Sequence, residues 1–508
     1  MSDAVTFKAL FASGDDAAPA ISAPGRPVLK HGQLRALVGK TIGSLNALGV
    51  GRNDRVAIVL PNGPEMATCF IAVASGTTSA PLNPAYRAEE FEFYLNDLNA
   101  RILIVERGSQ SPAVDVARKL GVRVVDLVAD ANGAAGDFEL VAREAGNAAA
   151  ANPGYAEADD VALVLHTSGT TSRPKIVPLS QRNVCASAQN IRRTLAFTPA
   201  DRGLNIMPLF HIHGLIAGIL APLSAGSQVF CAPGFDALKF FAWMDECHPT
   251  WYTAVPTMHQ TIVSRAARNK EIIARNPLRF LRSSSSSMPP QVITELEEIF
   301  HAPLVEAYGM TEAAHQMASN PLPPRPRKPG TVGLAAGPEV DIMDEAGKLL
   351  PPNTVGEIVI RGPNVTAGYE NNPKANAEGF TNGWFRTGDQ GVKDADGYIS
   401  LTGRLKEIIN RGGEKISPRE IDEIIMDHPA VAQVVCFAMP HAKLGEEVAA
   451  AVVLKEGAAV TEKELQQFVG NRVADFKVPK KILLLAEIPK GATGKLQRIG
   501  MAQKLGLA

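Results

Sequence analysis

The stretch Thr167-Ser168-Gly169-Thr170-Thr171-Ser172-Arg173-Pro174-Lys175 has the composition of a polyphosphate cradle. Small residues let backbone N–H groups approach phosphate oxygens, the hydroxyls add donors, and Arg173 and Lys175 bring positive charge. ATP is the ligand this chemistry favours. The stretch is not a Walker loop, because Pro174 precedes Lys175 and Ile176 follows it where Gly-Lys-Ser/Thr is required.

A loop of this kind needs rigid flanks. Strand Val161 to Leu165 is expected to feed it and a helix from Gln181 to Leu195 to follow, in the order strand, glycine loop, helix. Upstream, α/β alternation runs from Arg55 to Glu106: strand 56–60, helix 64–74, a short strand near Ala80, helix 88–98 and strand 102–105. A strand at Val122 to Leu127 continues the run, and the Ala/Gly/Asp-rich stretch 129–158 reads as a connection. Further units place strands at 203–207, 229–231 and 251–255 and a helix at 290–300. After Pro321-Leu-Pro-Pro-Arg-Pro-Arg-Lys-Pro329 the pattern changes to short strands at 340–343, 357–360 and 398–401. The last hundred residues read as a small α+β domain, with a helix from Pro418, strands 431–438 and 448–454, and a helix capped by Thr461 and Glu464.

At 508 residues the chain is too long for one hydrophobic core, so at least two domains are expected. Its 51 basic and 52 acidic residues leave a net charge of −1, which gives no bulk attraction to nucleic acid. Cys69, Cys185, Cys231, Cys247 and Cys436 lack Cys-x-x-Cys spacing, which argues against a zinc ribbon or a disulfide framework and fits a reducing cytoplasm. The amino terminus lacks a secretory pattern, the apolar run 214–223 is too short to span a bilayer, and Gly506-Leu507-Ala508 is not the Ser-Lys-Leu address. A soluble, cytoplasmic protein without stable membrane association is expected.

Four more segments join the loop: Tyr308-Gly-Met-Thr-Glu312, Trp384-Phe-Arg-Thr-Gly-Asp389, Gly403-Arg404-Leu405-Lys406-Glu407 and Pro489-Lys-Gly-Ala-Thr-Gly-Lys495. In this order across nearly the whole chain, they resemble the adenylate-forming superfamily of acyl-CoA synthetases, luciferases and peptide-synthetase adenylation domains. The resemblance implies an α/β fold: a large N-terminal AMP-binding domain of layered sheets with a β-rich subdomain, residues 1–404, and a mobile α+β lid, residues 405–508, hinged near Lys406. It implies ATP, Mg²⁺ and coenzyme A. Thr167, Ser168, Gly169, Thr170, Thr171 and Lys175 would hold phosphates, Tyr308 would stack on adenine, and Asp389 and Arg404 would take the ribose. Glu312 would hold Mg²⁺ with Thr311 touching phosphate. Lys495 would bridge the acid and the α-phosphate, and Gly412 and Gly413 would line the path of the CoA arm. Two departures stand out: Ser172 and Ile176 occupy positions where many relatives carry glycine.

These roles answer a physical need. A carboxylate must attack the α-phosphorus of ATP, so like charges have to be brought together and the leaving pyrophosphate neutralised.

The acid itself is read from the segments that usually wall its pocket: Pro208-Leu-Phe-His-Ile-His-Gly214, Trp251-Tyr-Thr-Ala-Val-Pro256, Ser283 to Met288 and the residues after Glu312. A fatty acid gains about 0.8 kcal/mol per buried CH₂ and wants an apolar tunnel, which these histidines and serines do not supply. Hydrogen bonds to a charged group contribute about 1.5–3 kcal/mol each, enough for a few to hold a second carboxylate. The set resembles the oxalate:CoA ligases of plants and fungi, which implies that His211, Ser285 and His315 contact the acid. The expected reaction is oxalate + ATP + CoA to oxalyl-CoA + AMP + PPi. Ligation of malonate or another short acid is the alternative, and a non-catalytic adenylate-binding regulator is the reading of another class. An adenylation module loading a carrier protein is disfavoured, because no carrier-like segment is evident after Lys495.

Overall fold

The computed structural model describes residues 3–12, 14–144, 149–167, 174–490 and 496–508. Ser168, Gly169, Thr170, Thr171, Ser172, Arg173 and Lys495 therefore lie outside the described residues.

The chain divides into two compact units, each described here by itself. The first contains the residues up to Thr167, Lys175–Val340 and Ile360–Gly379, and the second contains Asp341–Val359 and Phe380–Ala508.

Two sheets build the first unit. One has seven strands in the order Glu139–Ala142, Arg123–Val128, Ile102–Glu106, Arg55–Val59, Thr78–Pro81, Val161–Thr167 and Lys175–Ser180. Its interior pairings are parallel and its two edge pairings antiparallel. The other has nine strands, and its centre runs parallel through Leu304–Met310, Phe280–Ser283, Trp251–Ala254 and Arg202–Asn205. Helix Pro64–Ala74 packs on strands of both sheets. It is buried on nearly every side, as its largely apolar sequence requires.

Two of the strands that sequence reasoning did not place are the edges of the seven-stranded sheet. Lys175–Ser180 pairs antiparallel with Val161–Thr167, so the phosphate-loop segment joins two strands of a hairpin and does not open directly onto helix Gln181–Thr194. Pro178 would not suit a central strand, but a proline is tolerated at a sheet edge, where one side of the backbone needs no ladder partner. Glu139–Ala142 is the opposite edge and lies within the stretch read as a connection.

In the second unit a five-stranded sheet contains Trp384–Lys393, paired antiparallel with Phe380–Thr381 and Ile399–Arg404. A second sheet is built on the long antiparallel pair Val431–His441 and Gly445–Leu454. Alternation along Val431–His441 sends Val434 and Cys436 to one core and Val435 and Phe437 to another on the opposite face. Thr461 caps helix Glu462–Gly470: its Oγ1 accepts from the Glu464 N–H at 3.3 Å and Glu464 Oε2 accepts from the Thr461 N–H at 2.7 Å.

Beneath the nine-stranded sheet, His259 lies fully buried, its ring nitrogens 3.1 Å from Tyr252 Oη and 3.1 Å from the Arg282 carbonyl oxygen. Burial pushes its pKa down from 6.5 to about 4. Between those values the unfolded chain binds a proton that the folded chain refuses, so stability falls as pH falls, by about 3 kcal/mol at pH 4. His259→Gln is expected to flatten this dependence. Urea midpoints compared at about pH 7 and about pH 5 check it, and an unchanged slope assigns the acid sensitivity to other groups.

Candidate active site

Parallel neighbours end on the same side of a sheet, and the crevice outside those carboxyl ends is where ligands bind in open α/β folds. Four adjacent strands of the nine-stranded sheet end at Asn205, Ala254, Ser283 and Met310. The chain that leaves three of these ends carries candidate site residues: His211 and His213 after the first, Ser285 after Ser283, and Glu312 and His315 after Met310.

The ends are shaped by unusual backbone. His213 begins a π-helix, His213–Leu220, a conformation that often marks functional positions. Ser285 and His315 sit at φ of 74° and 98°, left-handed values that cost about 1–3 kcal/mol for residues with side chains. The hairpin that carries His315 turns so sharply that a Cβ at Gly309 would collide with the His315 carbonyl.

His213 is the hub of this cluster. Its Nδ1 lies 3.0 Å from Ser285 Oγ and its Nε2 lies 2.7 Å from Thr253 Oγ1. Its ring stacks on that of His315, with centroids 4.9 Å apart and 18° between planes. Arg282 joins both imidazoles: Nη1 is 3.1 Å from His213 Nε2 and Nη2 is 3.1 Å from His315 Nε2. The ring of the half-buried His211 lies 4.6 Å from that of Phe210. Sequence reasoning placed His213 only in a pocket-wall segment and gave Arg282 no role. All four residues of strand Phe280–Ser283 are buried, and the order Phe-Leu-Arg-Ser carries no apolar–polar alternation that could have marked Arg282 from sequence.

A second cluster surrounds Glu312, which is 6% exposed. Tyr369 donates its hydroxyl to Glu312 Oε1 at 2.8 Å, and Lys175 Nζ lies 4.3 Å from the centre of the Tyr369 ring. The Thr366 N–H donates to the Glu312 carbonyl at 2.7 Å. The last residue of the phosphate-loop segment thus stands beside the acidic residue of Tyr308-Gly-Met-Thr-Glu312, with Tyr369 between them. Thr311 starts the 3₁₀ turn Thr311–Ala313, and Tyr308 is buried in the preceding strand.

In the second unit Asp389 and Arg404 are direct cross-strand partners, joined by an Arg404 Nε–Asp389 Oδ1 bond of 2.8 Å. Lys406 is exposed in the 3₁₀ turn Leu405–Glu407. Arg498 bonds Glu407 at 3.1 Å and pairs with Asp422 at 2.6 Å. Gly412 and Gly413 form the two-residue turn of a hairpin at φ of 60° and 101°, a pair of values that suits glycine.

The AMP-binding enzyme family matches residues 13–370, well over half of the chain. The chain belongs to this family. The AMP-binding enzyme C-terminal domain follows at residues 420–495. Among curated relatives of this AMP-binding enzyme, an oxalate–CoA ligase of Arabidopsis thaliana is 46% identical over 490 residues, 95% of each chain. An oxalate–CoA ligase of Saccharomyces cerevisiae is 43% identical over 477 residues, covering 89% of this chain and 87% of the other. Among solved structures, ATP-bound MatB from Rhodopseudomonas palustris is 30% identical and superposes with a TM-score of 0.87 over 99% of both chains. Among the described residues no helix is long and apolar enough to cross a membrane.

Proposed function

We propose that this AMP-binding enzyme is an ATP-dependent acid:CoA ligase whose acid is oxalate, activated as an acyl adenylate and then transferred to CoA. The observation that carries the choice of acid is the polar cluster His213–Ser285–Arg282–His315 at the strand ends, where a fatty acid would need apolar walls. The two oxalate–CoA ligase relatives support the same reading.

In the first step one oxalate carboxylate attacks the α-phosphorus of ATP and pyrophosphate leaves. Lys175 and the hydroxyl-rich loop before it offset the charge of the phosphates, Lys495 lies between the carboxylate and the α-phosphate, and His211, Ser285 and His315 hold the acid. Tyr308 stacks on adenine while Asp389 accepts from the ribose hydroxyls and Arg404 supports it. Glu312 suits a divalent ion: it is a single buried carboxylate, and among the described residues no cluster of three or more His, Cys, Asp or Glu offers an all-protein cage. Magnesium bound there would take its other ligands from phosphate and water and would neutralise phosphate charge.

In the second step the CoA thiol attacks the acyl carbon and AMP leaves. The region after Lys406 swings to withdraw Lys495 and bring Gly412 and Gly413 beside the pantetheine arm, whose passage needs backbone without side chains. We place the two functional domains at 1–404 and 405–508 and the enzyme in the cytoplasm.

A pyrophosphate-release assay with ATP, Mg²⁺, CoA and a panel of oxalate, malonate, succinate, acetate and octanoate tests this reading. Oxalate is expected to show the highest kcat/KM. A preference of tenfold or more for malonate or octanoate would overturn the choice of acid, and no pyrophosphate release with any of the panel would overturn the activity.

A further inference from the structure

Arg282 is fully buried, yet no carboxylate pairs with it among the described residues. Burial alone acts on its charge and pushes the guanidinium down to about 9. Its Nε has no hydrogen-bond partner, while Nη1 and Nη2 face imidazole nitrogens and more distant Thr253 and Gln316 oxygens at 3.4 and 3.5 Å. Leaving a cation in this state is costly unless something else supplies the negative charge.

The ring chemistry says where that charge would come from. A guanidinium only donates, so His213 Nε2 and His315 Nε2, each 3.1 Å from it, face it with lone pairs, and the Thr253 hydroxyl, 2.7 Å from the same His213 Nε2, then donates to it as well. With Nε2 accepting, a neutral His213 carries its proton on Nδ1 and donates it to Ser285 Oγ at 3.0 Å. The Ser285 oxygen is then used as an acceptor, which leaves its O–H to donate outward, and Ser285 is exposed at the strand end. By the same logic His315 carries its proton on Nδ1. Bonds in a chain of this kind polarise one another, so the positive charge of Arg282 strengthens the terminal donors.

We propose that Arg282 is the positioning residue that fixes both imidazoles as Nδ1–H donors, and that the second carboxylate of the acid supplies the counter-charge Arg282 lacks. This rests on the acid:CoA ligase reading above and deepens it. Arg282 touches no substrate itself; it acts through His213, Ser285 and His315. A monocarboxylate with an apolar tail would bring no second charge to pair with the cation, so Arg282 is also a determinant of specificity.

The test is Arg282→Met in the full chain, with Arg282→Lys beside it. If Arg282 serves the acid, removing it relieves an unpaired buried charge, and the melting temperature without ligand holds steady or rises. The KM for oxalate rises at least tenfold, the KM for ATP stays within twofold, and the preference for oxalate over acetate shrinks by a similar factor. Arg282→Lys keeps the charge but cannot reach both rings, and its KM for oxalate falls between those of the wild type and Arg282→Met. Oxalate added with ATP raises the melting temperature of the wild type more than that of either variant. An unchanged KM for oxalate in Arg282→Lys overturns the proposal even if Arg282→Met fails to fold. A lower melting temperature with the KM values for oxalate and ATP rising together also overturns it, in favour of a purely structural arginine. A wild-type enzyme that releases no pyrophosphate with oxalate would instead refute the ligase reading on which the proposal stands.

Discussion

Lys495→Ala is expected to slow acyl-adenylate formation by about a thousandfold while leaving thioester formation from supplied adenylate within about threefold of wild type. The asymmetry follows from the charges in the two half-reactions. In the first, an anion attacks a polyanion, and a cation between carboxylate and α-phosphate acts on charge that develops in the transition state. In the second, the thiol attacks a carbonyl whose leaving group is already a stable phosphate monoester, and the lysine has been withdrawn. Pyrophosphate exchange reads the first step, and thioester formation from added adenylate reads the second. Equal losses in both would contradict the proposal that one site serves two steps by exchanging Lys495 for the CoA-binding turn.

The proposed exchange would have a physical anchor in the second unit. Arg498, three residues beyond Lys495 in sequence, is held by Glu407 and Asp422, which ties Arg498 to the turn that contains Lys406.

Legibility from the sequence followed periodicity and burial. Helices Pro64–Ala74, Ala88–Leu98 and Pro290–Phe300 have the bounds their patterns predict, since each is marked by a proline at its first position or a capping pattern and by apolar spacing. The edge strand Lys175–Ser180 was not placed: Pro178 does not suit a central strand, and nothing local reveals that a strand lies at an edge. The site shows the same division. His211, Ser285 and His315 became candidates through the resemblance of their motifs to those of a known subfamily, whereas Arg282 sits inside a strand and its partners His213 and His315 are distant in sequence. Tyr369 was missed for a related reason: its hydroxyl meets Glu312 only because Ile360–Gly379 folds back onto the first unit. Motif order names candidate ligand contacts, but the residues that hold those side chains in place are set by tertiary contacts.

The Glu312–Tyr369 pair gives the second large expected effect. Glu312→Gln removes the only charge of a carboxylate placed 2.8 Å from the Tyr369 hydroxyl, and adenylation is expected to fall by about a hundredfold to a thousandfold with a steeper requirement for Mg²⁺. Tyr369→Phe deletes one hydrogen bond to a charged group, an effect of about 1.5–3 kcal/mol, so a loss of about tenfold to a hundredfold is expected. If Tyr369 orients Glu312 toward the metal and the phosphates, the loss in Tyr369→Phe is in part recovered by raising Mg²⁺, whereas the loss in Glu312→Gln is not. Initial rates across a Mg²⁺ titration at saturating ATP and oxalate separate the two. If Glu312→Gln kept its rate within threefold at every Mg²⁺ concentration, the acidic residue would have no part in metal binding. The buried carboxylate would then be a structural acceptor for Tyr369 and nothing more.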